Sequence, residues 1–91
     1  MLKLRSIGLS DFAVVEGRQR IGWIRLATER MPCLWLWNVT VHLPGELPMG
    51  SAPDINTAKS EFREAWKALK VRTPPDQLAA AYRAMNIRGD G

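Results

Sequence analysis

Leu2 and Leu4 alternate with Lys3 and Arg5 at the start of the chain, and the alternation slips at Ser6. Strand side chains point alternately to two faces, so residues 1–10 read as an edge strand or a loose tail. The run Phe12-Ala13-Val14-Val15 leads into Gly17 and reads as a short strand ending in a turn. A second run begins at Ile21, at hairpin distance. Alternation puts Ile24, Leu26 and Thr28 on one of its faces and Ile21, Trp23, Arg25 and Ala27 on the other. Arg30, Met31 and Pro32 then form a turn, because proline cannot donate to the middle of a ladder.

The strongest strand pattern is Leu34 to Leu43. Trp35, Trp37, Val39 and Val41 line one face, and Leu34, Leu36, Asn38, Thr40 and His42 line the other. One face is wholly apolar and the other turns polar after Leu36, the pattern of a sheet covered on one side and partly wet on the other. Pro44, Gly45, Pro48, Gly50 and Pro53 then forbid a long regular element, leaving room for a short pairing around Met49 to Ala52. Asp54 is placed to cap a helix, since its carboxylate can accept from free N–H groups of the first turn. Ile55, Ala58, Phe62, Ala65, Trp66 and Leu69 follow at helical spacing, which predicts an amphipathic helix over 55–71. Thr73 and Pro74 resemble the start of a second helix over 74–86, with Leu78, Tyr82 and Met85 as its stripe and Arg88-Gly89-Asp90-Gly91 as its end.

These elements predict one α+β domain over residues 1–91. An antiparallel sheet of about three strands (11–43) is followed by a loop (44–54), an amphipathic helix packed on the sheet, and a short C-terminal second helix. The chain has four tryptophans, and burying one removes roughly 150–250 Å² from water, worth about 4–6 kcal/mol at most. A small domain needs that area for its core, so Trp35 and Trp37 are expected to face Phe62 and Trp66. Trp23, beside Arg25, is the better candidate for an exposed ring.

The charges are unevenly distributed along the chain. Residues 31–58 contain no lysine or arginine, so the tryptophan-rich strand lacks the cations that a nucleic-acid stacking platform interleaves with its rings. Lys59, Arg63, Lys67 and Lys70 recur at intervals of four, four and three and form a stripe beside the apolar helix face, with Glu61 and Glu64 further round. Arg18, Arg20, Arg25 and Arg30 lie on or near the first hairpin. The stripe and the hairpin can follow a phosphate backbone, or the stripe can be a solvated flank whose stems cover apolar edges. The net charge of +4 permits either.

Catalytic chemistry finds little material. Cys33 and His42 are the one cysteine and the one histidine, and their odd and even positions on one strand keep them apart. Cys33 is expected as a core-edge thiol and His42 as a half-exposed strand residue. There is no His/Cys cluster for a metal, and no glycine loop leading into a helix with a lysine for a phosphate. No cofactor, metal or catalytic residue is expected. A lone cysteine excludes an intrachain disulfide, and the lack of an apolar leader or span favours a cytoplasmic protein without membrane contact.

Trp35-Leu36-Trp37, Gly50-Ser51-Ala52, and Ala58-Lys59 with Phe62 and Trp66 together resemble a group of short bacterial proteins. In these an aromatic-x-aromatic strand leads through a Pro/Gly loop to a G-x-A step and an A-K-x-x-F-x-x-x-W helix. The resemblance covers about residues 17–70 and implies no activity. The strand–strand–strand–helix order is also similar to HicB-like antitoxins and to the three-stranded-sheet DNA-binding domains of integrases, which read DNA with basic residues on the sheet. Here that would be Arg25 and Arg20, with none on the third strand.

The expected function is a non-enzymatic interaction or accessory module working through a protein partner or self-association. The alternative is a nucleic-acid-binding module. The residues expected to make contact are Arg18, Arg20, Trp23, Arg25, Lys59, Arg63, Lys67 and Lys70.

Overall fold

The computed structural model describes residues 2–28 and 31–86. Five strands, β1 (Leu2–Ser6), β2 (Asp11–Glu16), β3 (Gln19–Ala27), β4 (Leu34–Val39) and β5 (Met49–Ala52), precede two helices, α1 (Ile55–Val71) and α2 (Pro75–Asn86). The strands form one antiparallel sheet in the order β1-β2-β3-β4-β5. The α+β class is as expected, but the sheet has five strands rather than about three. The two additions are its edges. Residues 2–6 are not a loose tail: every one of them pairs with β2, from Leu2↔Glu16 to Ser6↔Phe12. β5 is four residues within the Pro/Gly segment, recruited by the free edge of β4 through Trp35↔Ala52 to Asn38↔Met49. Partner strands hold such short edges more than their own propensity does.

β2 and β3 are joined through Gly17 and Arg18, with Gly17 at φ +63° and no positive φ at Arg18. A two-residue hairpin with glycine first asks for this arrangement. Further along the pair, Val14 opposes Gly22 and Val15 opposes Arg20, so Ile21 is an extra residue in β3. The bulge corrects the expected alternation. Ile21 does not share the face of Trp23 and Arg25 but is fully buried in the main core. β4 ends at Val39 rather than continuing to Leu43, although Val41 beyond it remains buried.

The sheet has one helix-covered face. The pairings place Leu2, Leu4, Phe12, Val14, Gly22, Ile24, Leu26, Trp35, Trp37, Gly50 and Ala52 on it. α1 lies over β4 and β5 and reaches β3, burying Ala58, Phe62, Trp66 and Leu69. Trp37 meets Phe62 edge-on at 5.8 Å, and its Nε1 donates to Glu61 Oε1 at 2.9 Å. Glu61 is therefore tied to the core's edge and is not simply solvated. Trp35 departs from expectation: it is half-buried and packs against Phe12 at 6.3 Å.

Asp54 caps α1 as expected, accepting from Thr57 N at 2.7 Å and Thr57 Oγ1 at 3.0 Å. Thr73 does not cap α2. Its hydroxyl donates back to Leu69 O at 2.6 Å, and the Pro74 carbonyl accepts the first bonds of α2 from Gln77 and Leu78. The second helix thus begins one residue later than expected, at Pro75. Leu78, Tyr82 and Met85 pack against the core, and Asn86 Nδ2 donates to Gln19 Oε1 at 3.1 Å, setting α2 across the β2–β3 hairpin end. The expected Arg88–Gly91 terminator and Arg30 lie outside the described residues.

Candidate nucleic-acid interface

On the second face of the sheet, α2 reaches only one end, where Met85 and Asn86 border a hollow with Arg5, Val15 and Arg20. Register assigns the side chains of this face. Lys3 and Arg5 of β1 pair with Val15 and Ala13, Arg20 of β3 also pairs with Val15, and Trp23 pairs with Ala13 and Asn38. Arg25 stands between Asp11 and Leu36. Register thus puts four cations of two strands on the face of one tryptophan, of which Arg20 and Arg25 border its depression, with Asp11 the one carboxylate among these paired positions. Trp23 is half-buried, and the Arg25 guanidinium lies over its ring at 5.4 Å from the centroid. Ile7 and Asp11 border a shallow depression with Arg20, Trp23 and Arg25. Arg18, in the β2–β3 turn, rims a second hollow with Arg5, Arg20 and His42.

Of the expected contact residues, Arg18, Arg20, Trp23 and Arg25 lie toward this side. Lys3 and Arg5 share it by register and were not among them. Their signal was the opening alternation with Leu2 and Leu4, but their face has meaning only once β1 is paired in register.

The helix stripe lies elsewhere. Lys59, Arg63, Lys67 and Lys70 follow the flank of α1 that looks toward β1 and β2, on the covered side of the sheet, and share no surface with Trp23. Lys70 is already engaged: its Nζ bonds Glu16 Oε2 at 2.8 Å, the one ion pair among the described residues, and lies 5.5 Å from the Trp66 ring. Burial pushes the Glu16 carboxyl up, but the Lys70 hydrogen bond and charge, helped by the Trp66 indole dipole, hold it below its ordinary value. Trp66 Nε1 itself is buried without a hydrogen-bond partner of normal geometry. Tyr82 beside them is raised by burial and by the Glu16 charge.

Cys33 is exposed, not a core-edge thiol, and precedes β4, whereas His42 is exposed beyond its far end. Among the described residues no group of three or more His, Cys, Asp or Glu could hold a metal ion. No helix among them is long and apolar enough to cross a membrane. Comparison with protein families, curated proteins and solved structures returns no match, and the functional reading rests on the geometry.

Proposed function

We propose that the protein is a small, non-catalytic binding module that lays single-stranded nucleic acid across the sheet face opposite α1. The observation that carries this reading is that Arg20 and Arg25 flank Trp23 on a face that register also gives to Lys3 and Arg5, with Asp11 as the one opposing carboxylate. An unpaired strand presents phosphates at regular intervals and π-faces between them, which calls for cations interleaved with an aromatic ring. The Arg25–Trp23 stack supplies such a surface, because a base can stack on a guanidinium plane as well as on an indole. Duplex DNA offers no free π-face, so Trp23 would contribute little to it.

The test is fluorescence anisotropy with labelled oligo-dT, oligo-rU and a duplex of the same length. Binding to the single strands should weaken with salt at a log–log slope of about −3, since each phosphate neutralised contributes about 0.7. Arg5→Glu and Arg25→Glu should each weaken binding about tenfold or more, and Trp23→Ala by a similar factor from lost stacking. Circular dichroism of the exposed Arg5→Glu variant separates lost binding from lost folding. No binding at low salt, or unchanged binding by the charge-reversed variants, sinks the reading.

A further inference from the structure

We propose that the trough between α1 and the β1–β2 pair receives an acidic amphipathic helix of a protein partner. This inference uses the opposite side of the sheet and does not depend on the nucleic-acid reading. Among the described residues α1 packs mainly on β4, β5 and part of β3, and only its flanking side chains reach β1 and β2. Two strands span about 10 Å, close to the diameter of one helix with its side chains.

The floor of the trough is apolar. Leu2, Leu4 and Phe12 are half-buried on this face, over the fully buried Val14 and Ile24. Leu2 and Leu4 border the same hollow as Phe62, Lys59 and Arg63, and the hollow continues past Leu2 and Arg63 to Trp66, Lys67 and Lys70. The wall is basic. Lys59, Arg63 and Lys67 stand one helical turn apart along it, and none has an ion-pair partner among the described residues. The acidic residues of α1 are elsewhere, with Glu61 bonded to Trp37 on the β4 side. At the α2 end the Lys70–Glu16 pair and Tyr82 close the trough.

A single column of cations above an apolar floor has a specific complement. It is a helix whose apolar stripe meets Leu2, Leu4 and Phe12 and whose flank carries carboxylates every fourth residue to meet Lys59, Arg63 and Lys67. A nucleic acid fits poorly, because its phosphates would lie against leucines. The complementary charge sets orientation and encounter rate, while the apolar stripe supplies most of the buried area.

The probe is a helix-forming peptide with a leucine stripe and glutamates at four-residue spacing along one flank, compared with the same peptide carrying lysines at those positions. A titration followed by two-dimensional NMR of the full chain should perturb Leu2, Leu4, Phe12 and the Lys59–Lys67 flank. The lysine peptide should not bind. Arg63→Glu combined with Lys67→Glu should weaken the glutamate peptide at least about tenfold, whereas Arg25→Glu should leave it unchanged. Leu4→Ser, at a half-exposed edge position, gives an independent check of the floor. Absence of shifts at millimolar peptide, or equal binding of both peptides, overturns the proposal. Loss of oligonucleotide binding in the Arg63/Lys67 variant would also overturn it, showing that nucleic acid occupies the trough. Dimerisation abolished by Leu4→Ser would overturn it in favour of a second copy of this chain.

Discussion

Gly50 lies directly against the indole of Trp37. The two are paired across β4 and β5, and a Cβ on Gly50 would sit 2.8 Å from both Cε2 and Cζ2 of the ring. The neighbouring pair on the same face is Trp35 with Ala52. The W-x-W and G-x-A motifs are therefore two halves of one device. Two large rings on β4 stand over two small residues on β5, which lets α1 approach the sheet.

Gly50→Ala should destabilise the fold by about 1–3 kcal/mol, since the added methyl forces the buried Trp37 ring from its place against Phe62. Urea denaturation followed by tryptophan fluorescence measures it. An unchanged midpoint would mean that the ring moves freely.

Gly22→Ala should cost more, about 3 kcal/mol or above, because the new Cβ meets the Asn38 carbonyl as well as the Phe62 ring at 2.7 Å. Backbone cannot swing aside as a side chain can. The same denaturation series ranks the two glycines, and the expected order is Gly22 above Gly50.

Trp37→Ala should cost about 3–5 kcal/mol and Trp35→Ala clearly less, about 2 kcal/mol, because cost follows the volume vacated in a closed core. Trp37 is 7% exposed and bonded to Glu61, while Trp35 is half-buried at the margin with Phe12. Equal costs would contradict the different burial of the two rings.

Lys70→Met should lower stability at neutral pH by about 0.5–1 kcal/mol, a modest figure because the Lys70 side chain is 37% exposed and the pair is screened. Glu16 has a folded-state pKa below its ordinary value. Its contribution is thus present above the unfolded-state pKa, about 4.3, and disappears as pH falls through the folded value. The stability gap between wild type and Lys70→Met should accordingly close on acidification below about pH 4. A gap that persists in acid would show packing of the lysine stem, not the ion pair, to be responsible.

Tyr82 is the single tyrosine, so its titration can be assigned without mutants. Burial, then the Glu16 charge, raises its pKa above 10.0. Absorbance at the tyrosinate band should give a midpoint above that of a free phenol, and Glu16→Gln should bring it down. The folded state favours the neutral phenol, so this contribution is full below the unfolded pKa and is lost as pH rises through the folded one. A midpoint at or below the free value would place Tyr82 in solvent rather than against Glu16.

Much of the fold was legible because local periodicity is a local property. α1 has its length, cap and buried face written in Asp54 and in the spacing of Ala58, Phe62, Trp66 and Leu69. β4 was legible as a strand in the alternation around Trp35 and Trp37, apart from its end. The candidate site was legible in part. Trp23 and Arg25 share one strand and alternation alone relates them, but Arg20 has the opposite parity and joins them only through the bulge at Ile21, and the helix stripe could not be assigned to either side of a sheet by spacing on its own helix.

The identity of α1, α2, β2, β3 and β4 was readable from local spacing, and so was the polarity of their faces except in β3, where the bulge turns Ile21 inward. Only the tertiary structure decided the edges. Spacing left residues 1–10 as an edge strand or a loose tail and only allowed a short pairing at Met49 to Ala52, and pairing with β2 and β4 makes both of them strands. Pairing also puts Lys3 and Arg5 on the face of Trp23, turns Ile21 inward at a bulge, and sets the Lys59–Lys70 flank beside the half-buried Leu2 and Leu4. The physical reason is that register is a relation between distant segments. A one-residue slip would send every side chain of a strand to the other face, and the burial of the whole core against α1 selects the register that forms.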